Sequence, residues 1–209
     1  SDVCSSDLTH GSLHIGLEIK RAQNILIRGG TSSIGLAAAA LAKAAGLRVA
    51  STTRNPDKDA LLRRAGADDV LVDQGELAAQ AQQVQPGGFD RVLELVGTTT
   101  LLDSLQCARR GGIVCMTGIL GGKWELETFR PMGHIPTGVK LTSYSGESGD
   151  ITTSQLQEYI ELVATGDLKL QVGPVFRFEK LREAHELMDA NRANGKIVVL
   201  TRADDNLEG

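Results

Sequence analysis

The residues Arg28-Gly29-Gly30-Thr31-Ser32-Ser33-Ile34-Gly35 carry the clearest chemical signal in this chain. They follow the apolar run Asn24-Ile25-Leu26-Ile27 and open the stretch Leu36-Ala37-Ala38-Ala39-Ala40-Leu41-Ala42, so the order is strand, glycine turn, helix. That order makes a dinucleotide-binding turn. Gly29 and Gly30 let the backbone turn tightly and approach a pyrophosphate, while the helix start offers unpaired N–H groups at the positive end of its dipole. Gly35 and the alanines after it allow close packing of helix on strand. The spacing is imperfect, because G-x-G-x-x-G laid on Gly30 and Gly35 puts Ser32 where the middle glycine belongs. A turn that merely caps an alanine-rich helix would read the same way, so the following segments must decide.

The end of the second strand discriminates between dinucleotides. An NAD site carries Asp or Glu roughly 20 residues past the glycine turn, where the carboxylate accepts the ribose hydroxyls. This chain has Thr52-Thr53-Arg54 there, with Lys58 following. A carboxylate would repel a 2′-phosphate, whereas Arg54 can pair with it through two N–H groups and the Thr53 hydroxyl can donate to it. NADP(H) is therefore the expected cofactor, against the reading of Arg54 and Lys58 as ordinary solvated charges. Glu94, near the end of the fourth strand, has the chemistry of a general base. Hydride transfer draws its reactivity from the nicotinamide and asks the protein for orientation and water exclusion, so a structural role is expected for Glu94. His10, His14, His134 and His185 lack metal partners at useful spacing, and Cys4, Cys107 and Cys115 form no C-x-x-C pair, so no metal site is expected.

The elements that would hold these residues alternate regularly. Strands are expected at 24–28, 48–52, 69–72, 91–96, 113–117 and 139–144, with helices at 32–45, 56–65, 76–84, 101–108 and 154–164 between or after them. Gly46 and Gly66 stop the first two of those helices, Asn55-Pro56 starts the second, and Arg110-Gly111-Gly112 breaks the chain ahead of the fifth strand. Leu13, Ile15, Leu17 and Ile19 read as the end of a preceding helix. Helical crossovers of this length demand a parallel sheet covered on both faces, an α/β doubly wound domain of six strands. Pro174-Val175-Phe176 and Lys196–Leu200 flank a helix at 181–190 and fall outside the pattern, and 204–209 reads as a frayed charged tail.

Composition sets the outer limits. A chain of 209 residues suits one sizeable core, and a net charge of −4 with both signs interspersed indicates neither a nucleic-acid surface nor a membrane patch. Gly reaches 24 of 209 residues, above the roughly 7% average, as tight strand-to-helix turns require. No apolar run approaches the roughly 18 residues of a membrane span, and the cysteine usage fits a reducing cytoplasm. Ser1-Asp2-Val3-Cys4-Ser5-Ser6-Asp7-Leu8 resembles the in-frame translation of a sequencing-library adapter, so residues 1–10 are expected to form an artefactual or disordered tail. On that expectation the authentic protein continues upstream of Thr9.

Taken together, Arg28–Gly35, Thr52-Thr53-Arg54, Gly66-Ala67-Asp68, Leu95-Val96-Gly97, Gly118–Gly122 and Gly195-Lys196-Ile197-Val198 resemble the cofactor domain of the zinc-independent quinone reductases, within the medium-chain dehydrogenase/reductase superfamily. The resemblance covers about Gly11 to Leu200. It implies a Rossmann domain at 11–172, a segment at 173–202 that returns to a GroES-like catalytic domain largely missing from this chain, and a tail at 203–209. By position, it implies that Gly29, Gly30, Thr31, Ser32, Ser33, Ile34 and Gly35 hold the pyrophosphate, and Thr53, Arg54 and Lys58 the 2′-phosphate. Leu95, Val96 and Gly97 would lie beside the nicotinamide-side ribose, with Gly118, Ile119 and Leu120 at the nicotinamide end. Leu141, Thr142, Ser143 and Tyr144 would line the cleft, although Tyr144 could equally be a packing residue. No catalytic residue is assigned.

The expected activity is NADPH-dependent hydride transfer to a quinone or an activated carbonyl or alkene, by a homodimer acting on a small molecule. A nucleotide-binding module or inactive fragment is the alternative, since most of the catalytic domain is absent. A methyltransferase using S-adenosylmethionine also has a glycine turn after its first strand, but it normally needs an acid where Thr53 and Arg54 stand.

Overall fold

The computed structural model describes residues 2–147, 149–190 and 192–201. Helix α1 (Asp2–Gly11) passes directly into a wide helical turn at Ser12–Gly16 and a tight one at Ile19–Arg21. The chain then alternates through β1 (Asn24–Arg28), α2 (Ser33–Ala44), β2 (Arg48–Thr53), α3 (Asp59–Arg64), β3 (Asp69–Val72), α4 (Ala78–Val84), β4 (Phe89–Glu94), α5 (Thr98–Cys107) and β5 (Ala108–Met116). A long connection holding the short α6 (Pro131–His134) leads to β6 (Lys140–Ser143) and α7 (Thr153–Thr165). The six strands form one sheet in the order β3-β2-β1-β4-β5-β6, and every pairing is parallel. This is a Rossmann-like dinucleotide fold whose order reverses between β1 and β4, the place where such sheets open a crevice at their carboxyl ends.

Burial on both faces explains the nearly continuous apolar strands. Because side chains alternate along a strand, Ile25, Ile27, Val49, Leu93, Ile113 and Cys115 join one core cluster with α2. Leu26, Ala50, Leu71, Val92 and Val114 join the other with α4 and α5. The alanines of α2 allow close approach, and Gly35 is obligatory there, since a Cβ would lie 2.6 Å from the Gly29 carbonyl oxygen.

Several boundaries differ from expectation. β4 ends at Glu94 rather than Val96, because the Glu94 carboxylate draws the Val96 and Gly97 N–H groups into a turn, at 2.7 and 3.0 Å. Arg110-Gly111-Gly112 does not precede the fifth strand but lies within β5, where the register shifts against Phe89 and Arg91. Lys58 falls in a tight turn, Pro56–Lys58, just before α3. β7 (Val172–Arg177) and β8 (Lys196–Leu200) pair with each other in a separate parallel sheet, with α8 (Leu181–Asp189) between them. The tail expected at 203–209 lies outside the described residues.

The expectation that residues 1–10 stand apart from the fold fails for residues 7–10. Leu8 packs against the larger core cluster, Thr9 and His10 are buried, and the Ser12 hydroxyl donates to the Leu8 carbonyl at 2.6 Å. Hydropathy periodicity missed this because the anchor is one leucine among polar residues. Leu8→Ala should therefore lower stability by about 1 kcal/mol, a shift of a few degrees in Tm for a chain of this size. Thermal unfolding of the two proteins checks it, and an unchanged Tm would mean that Leu8 contributes nothing.

Candidate dinucleotide site at the carboxyl edge of the sheet

The glycine turn is held by its neighbouring strand. Gly29, at φ 86°, donates its N–H to the Thr52 hydroxyl at 3.1 Å, and the Gly30 N–H donates to the Thr52 carbonyl at 3.1 Å. Only glycine fits at 30, since a Cβ would lie 1.9 Å from Ser51 Oγ. Ser32 caps α2: its hydroxyl donates to the Gly29 carbonyl at 2.8 Å and accepts from the Gly35 N–H at 3.0 Å. The substituted middle position of the motif therefore works as an N-cap, which the motif by itself did not indicate. The Ser33 and Ile34 N–H groups find no acceptor among the described residues. Two open donors at a helix start, beside a cradle that a Cβ would fill, fit a phosphate.

The structure brings the other expected loops onto this turn. A Cβ at Gly29 would lie 3.1 Å from Leu95, 3.2 Å from Leu120 and 3.5 Å from Val96, so the three loops meet there. The Gly118 N–H donates to the Glu94 carbonyl at 3.2 Å and the Leu120 N–H to the Leu95 carbonyl at 3.1 Å, seating the loop after β5 on the loop after β4. Gly97, at φ 107°, is crowded by the Gly118 carbonyl and Ile119. Leu95 itself belongs to the core, and Leu120 is exposed. Thr142 and Ser143 lie on the outer strand β6, paired with Cys115 and Met116.

Three of the expected side chains are engaged elsewhere. The Thr53 hydroxyl is buried, donates to the Asn55 carbonyl at 2.9 Å and accepts the Asn55 N–H at 3.0 Å, so it shapes the turn after β2. Lys58 Nζ bonds Asn194 Oδ1, on the connection between α8 and β8. Tyr144 packs over Gly11 and donates to Asp150 Oδ2 at 2.6 Å, which makes it a fastening for α1 rather than a cleft wall. Arg54 remains exposed and forms no ion pair among the described residues.

Beneath these loops lies a buried charge cluster that sequence reasoning missed. Arg28 is wholly inaccessible. Its guanidinium grips Asp73 through Nε and Nη2 at 2.7 and 3.0 Å, and Nη1 reaches Asp103 at 2.6 Å, Ser104 Oγ at 3.1 Å and the Thr100 carbonyl at 3.2 Å. Nη2 also donates to the Gly75 carbonyl at 3.2 Å. Burial works to raise the Asp73 carboxyl, but its bonds to Arg28 and Gly75 N–H, and the charges of Arg28 and Arg54, hold it below the usual range. Burial pushes the Glu94 carboxyl upward, against bonds from Ser104, Gly97 and Val96 and the nearby Arg28 charge. Glu94 is thus the brace of its loop, and no open face is left for a base.

Among the described residues, no group of three or more His, Cys, Asp and Glu side chains could hold a metal ion. No helix among them is long and apolar enough to cross a membrane.

Residues 65–199 match a family model described as zinc-binding dehydrogenase, more than half of the chain, and the chain belongs to that family. Its curated relatives include the quinone oxidoreductases of Sus scrofa, 28% identical over 187 residues, and of Pseudomonas aeruginosa, 27% identical over 197. These alignments cover 87% and 88% of this chain but 56% and 58% of the relatives, so the chain spans little more than half their length. Among solved structures, AibC superposes with a TM-score of 0.81 at 25% identity, covering 95% of this chain and 55% of that one. A mycobacterial protein solved in complex with NADPH superposes with a TM-score of 0.76 at 23% identity, covering 93% and 62%.

Arg28→Met should cost about 3–5 kcal/mol, because it strands Asp73 and Asp103 without their counter-charge. Urea unfolding of this variant beside Asp73→Asn measures the loss. Equal stability to the parent would show that the cluster supports nothing.

Proposed function

We propose that the chain is the NADPH-binding part of an oxidoreductase that delivers hydride to a quinone or to an activated carbonyl or alkene. One observation carries the cofactor half of this reading. The two open N–H groups of Ser33 and Ile34 stand at a glycine cradle, and the strand beside it ends in Thr53-Arg54 with no carboxylate at the ribose position. Asp73 feels the charge of Arg54, and its own charge is already matched by Arg28. Arg54 then carries the selection for a 2′-phosphate by itself, as Thr53 closes its own turn and Lys58 bonds Asn194.

When bound, the reduced nicotinamide supplies the hydride. Ser33 and Ile34 would hold the pyrophosphate, and the stacked loops at Leu95–Gly97 and Gly118–Leu120 would fix the nicotinamide end and keep water from it. The substrate half follows the curated quinone oxidoreductases. Independence from zinc, a homodimeric state, a cytoplasmic location and a small-molecule partner, without nucleic acid or membrane, belong to the same proposal. A binding module without catalysis is the second reading, as the described site holds a phosphate cradle and no side chain free to act as a base.

Titration of the 209-residue chain should give tighter binding of NADPH than of NADH. Arg54→Ala should remove most of that preference, since a charge-assisted phosphate contact contributes about 1.5–3 kcal/mol, at least about tenfold in Kd. Equal affinities, or an unmoved ratio in the variant, would refute the cofactor assignment. Steady-state NADPH oxidation with small quinones addresses catalysis. Saturable NADPH oxidation that depends on the quinone supports hydride transfer, and NADPH binding without it would favour the second reading.

A further inference from the structure

His10 and His14 stand four residues apart where α1 passes into the wide turn, and their rings lie in contact, tilted by 34° with centroids 4.3 Å apart. Both face Tyr159 on α7: its hydroxyl lies 2.7 Å from His10 Nδ1 and 3.4 Å from His14 Nε2. Thr9 and Tyr159 also line a partly open apolar pocket of about 400 Å³ together with Leu41, Ile160, Val163 and Leu168. The N-terminal helical segment therefore meets α7 through one hydroxyl shared between two imidazoles, at the edge of an open apolar pocket. We propose that His10, His14 and Tyr159 form an acid-sensitive clasp that holds this segment against α7 at neutral pH and releases it on acidification.

The chemistry follows from the number of protons. With both imidazoles neutral, the Tyr159 hydroxyl can donate to one ring nitrogen and accept from the other. With both charged, every ring nitrogen is a donor, the hydroxyl loses its acceptor, and two positive rings lie in contact. The surrounding charges do not cancel this. Lys20 opposes protonation of both rings, Asp150 favours it at His10, and Glu158 acts on Tyr159 from α7 itself. Glu18, Arg21 and Gln155 share the open hollow beside His14 with Lys20. Burial lowers both histidines, His14 to about 4, with the neighbouring His10 adding to the effect there.

A histidine held neutral in the clasped state contributes stability above its ordinary value of about 6.5, and that contribution is lost as the pH falls from there toward the clasped value. For His14 alone, the released form should gain on the order of thirtyfold between pH 7.5 and pH 5.

Hydrogen exchange on the full chain, corrected for intrinsic rates, reads this directly. Protection of residues 9–16 should fall on the order of thirtyfold at pH 5 relative to pH 7.5, while that of β1 and β4 stays constant. The double variant His10→Gln/His14→Gln should lose the pH response. Equal protection of residues 9–16 at both pH values, or a response that survives in the double variant, would overturn the proposal. Should the double variant be open already at pH 7.5, NMR titration of the histidine rings in the unmodified chain decides: both rings titrating near 6.5 would overturn it, and depressed titration of both supports it.

Discussion

The buried guanidinium of Arg28 is the interaction on which the crevice depends. It sits at the last position of β1, immediately before the glycine turn, and its donors reach the loops that follow β3 and the helix that follows β4. A charge taken fully out of water is tolerated only when paired and hydrogen-bonded, and here two carboxylates, a hydroxyl and two carbonyls meet it. Ser104 passes the constraint on, because its hydroxyl also binds Glu94, whose other oxygen holds the Val96 and Gly97 N–H groups. Three crevice loops are thereby referred to one cation. Apolar packing could not place them as sharply, since it is not directional.

The sheet supplies what that cation cannot. Parallel strands covered on both faces leave no free solvent side, so each strand carries apolar residues at successive positions, with α2 and α3 covering one face and α4 and α5 the other. Reversal of strand order between β1 and β4 parts the helices on either side, and the crevice opens where the glycine turn, Leu95–Gly97 and Gly118–Leu120 converge. The small residues at 29, 30 and 35 let these backbones meet. In each case the room for a side chain is already filled by Leu95, Ser51 or the turn's own carbonyls.

The cofactor corner shows how side chains with the right chemistry are redistributed by folding. Thr53, Arg54 and Lys58 read as one phosphate-binding set, yet the first closes its own turn and the last reaches Asn194, leaving the arginine. Asp73, absent from any motif, stands near that arginine and is matched by Arg28 instead. Likewise Tyr144 serves α1 by packing over Gly11 and binding Asp150. A lone hydroxyl in a strand-end motif satisfies whichever donor or acceptor is nearest once the chain is folded, and that identity is a tertiary fact.

By itself, the sequence determined the alternation of strand and helix, the parallel sheet and the glycine turn, because these rest on periods, caps and φ preferences that act over a few residues. Asn24–Arg28, the Gly29-Gly30 turn and Asp69–Val72 were legible for that reason. Only the tertiary structure decided which polar groups meet. Arg28 lies 45 residues from Asp73 and 75 from Asp103, and His10 lies 149 from Tyr159. No local rule reports a pairing across such separations. The same limit hid the place of residues 7–10, whose attachment rests on one leucine and a few hydrogen bonds rather than on an apolar stripe that a periodic reading can detect.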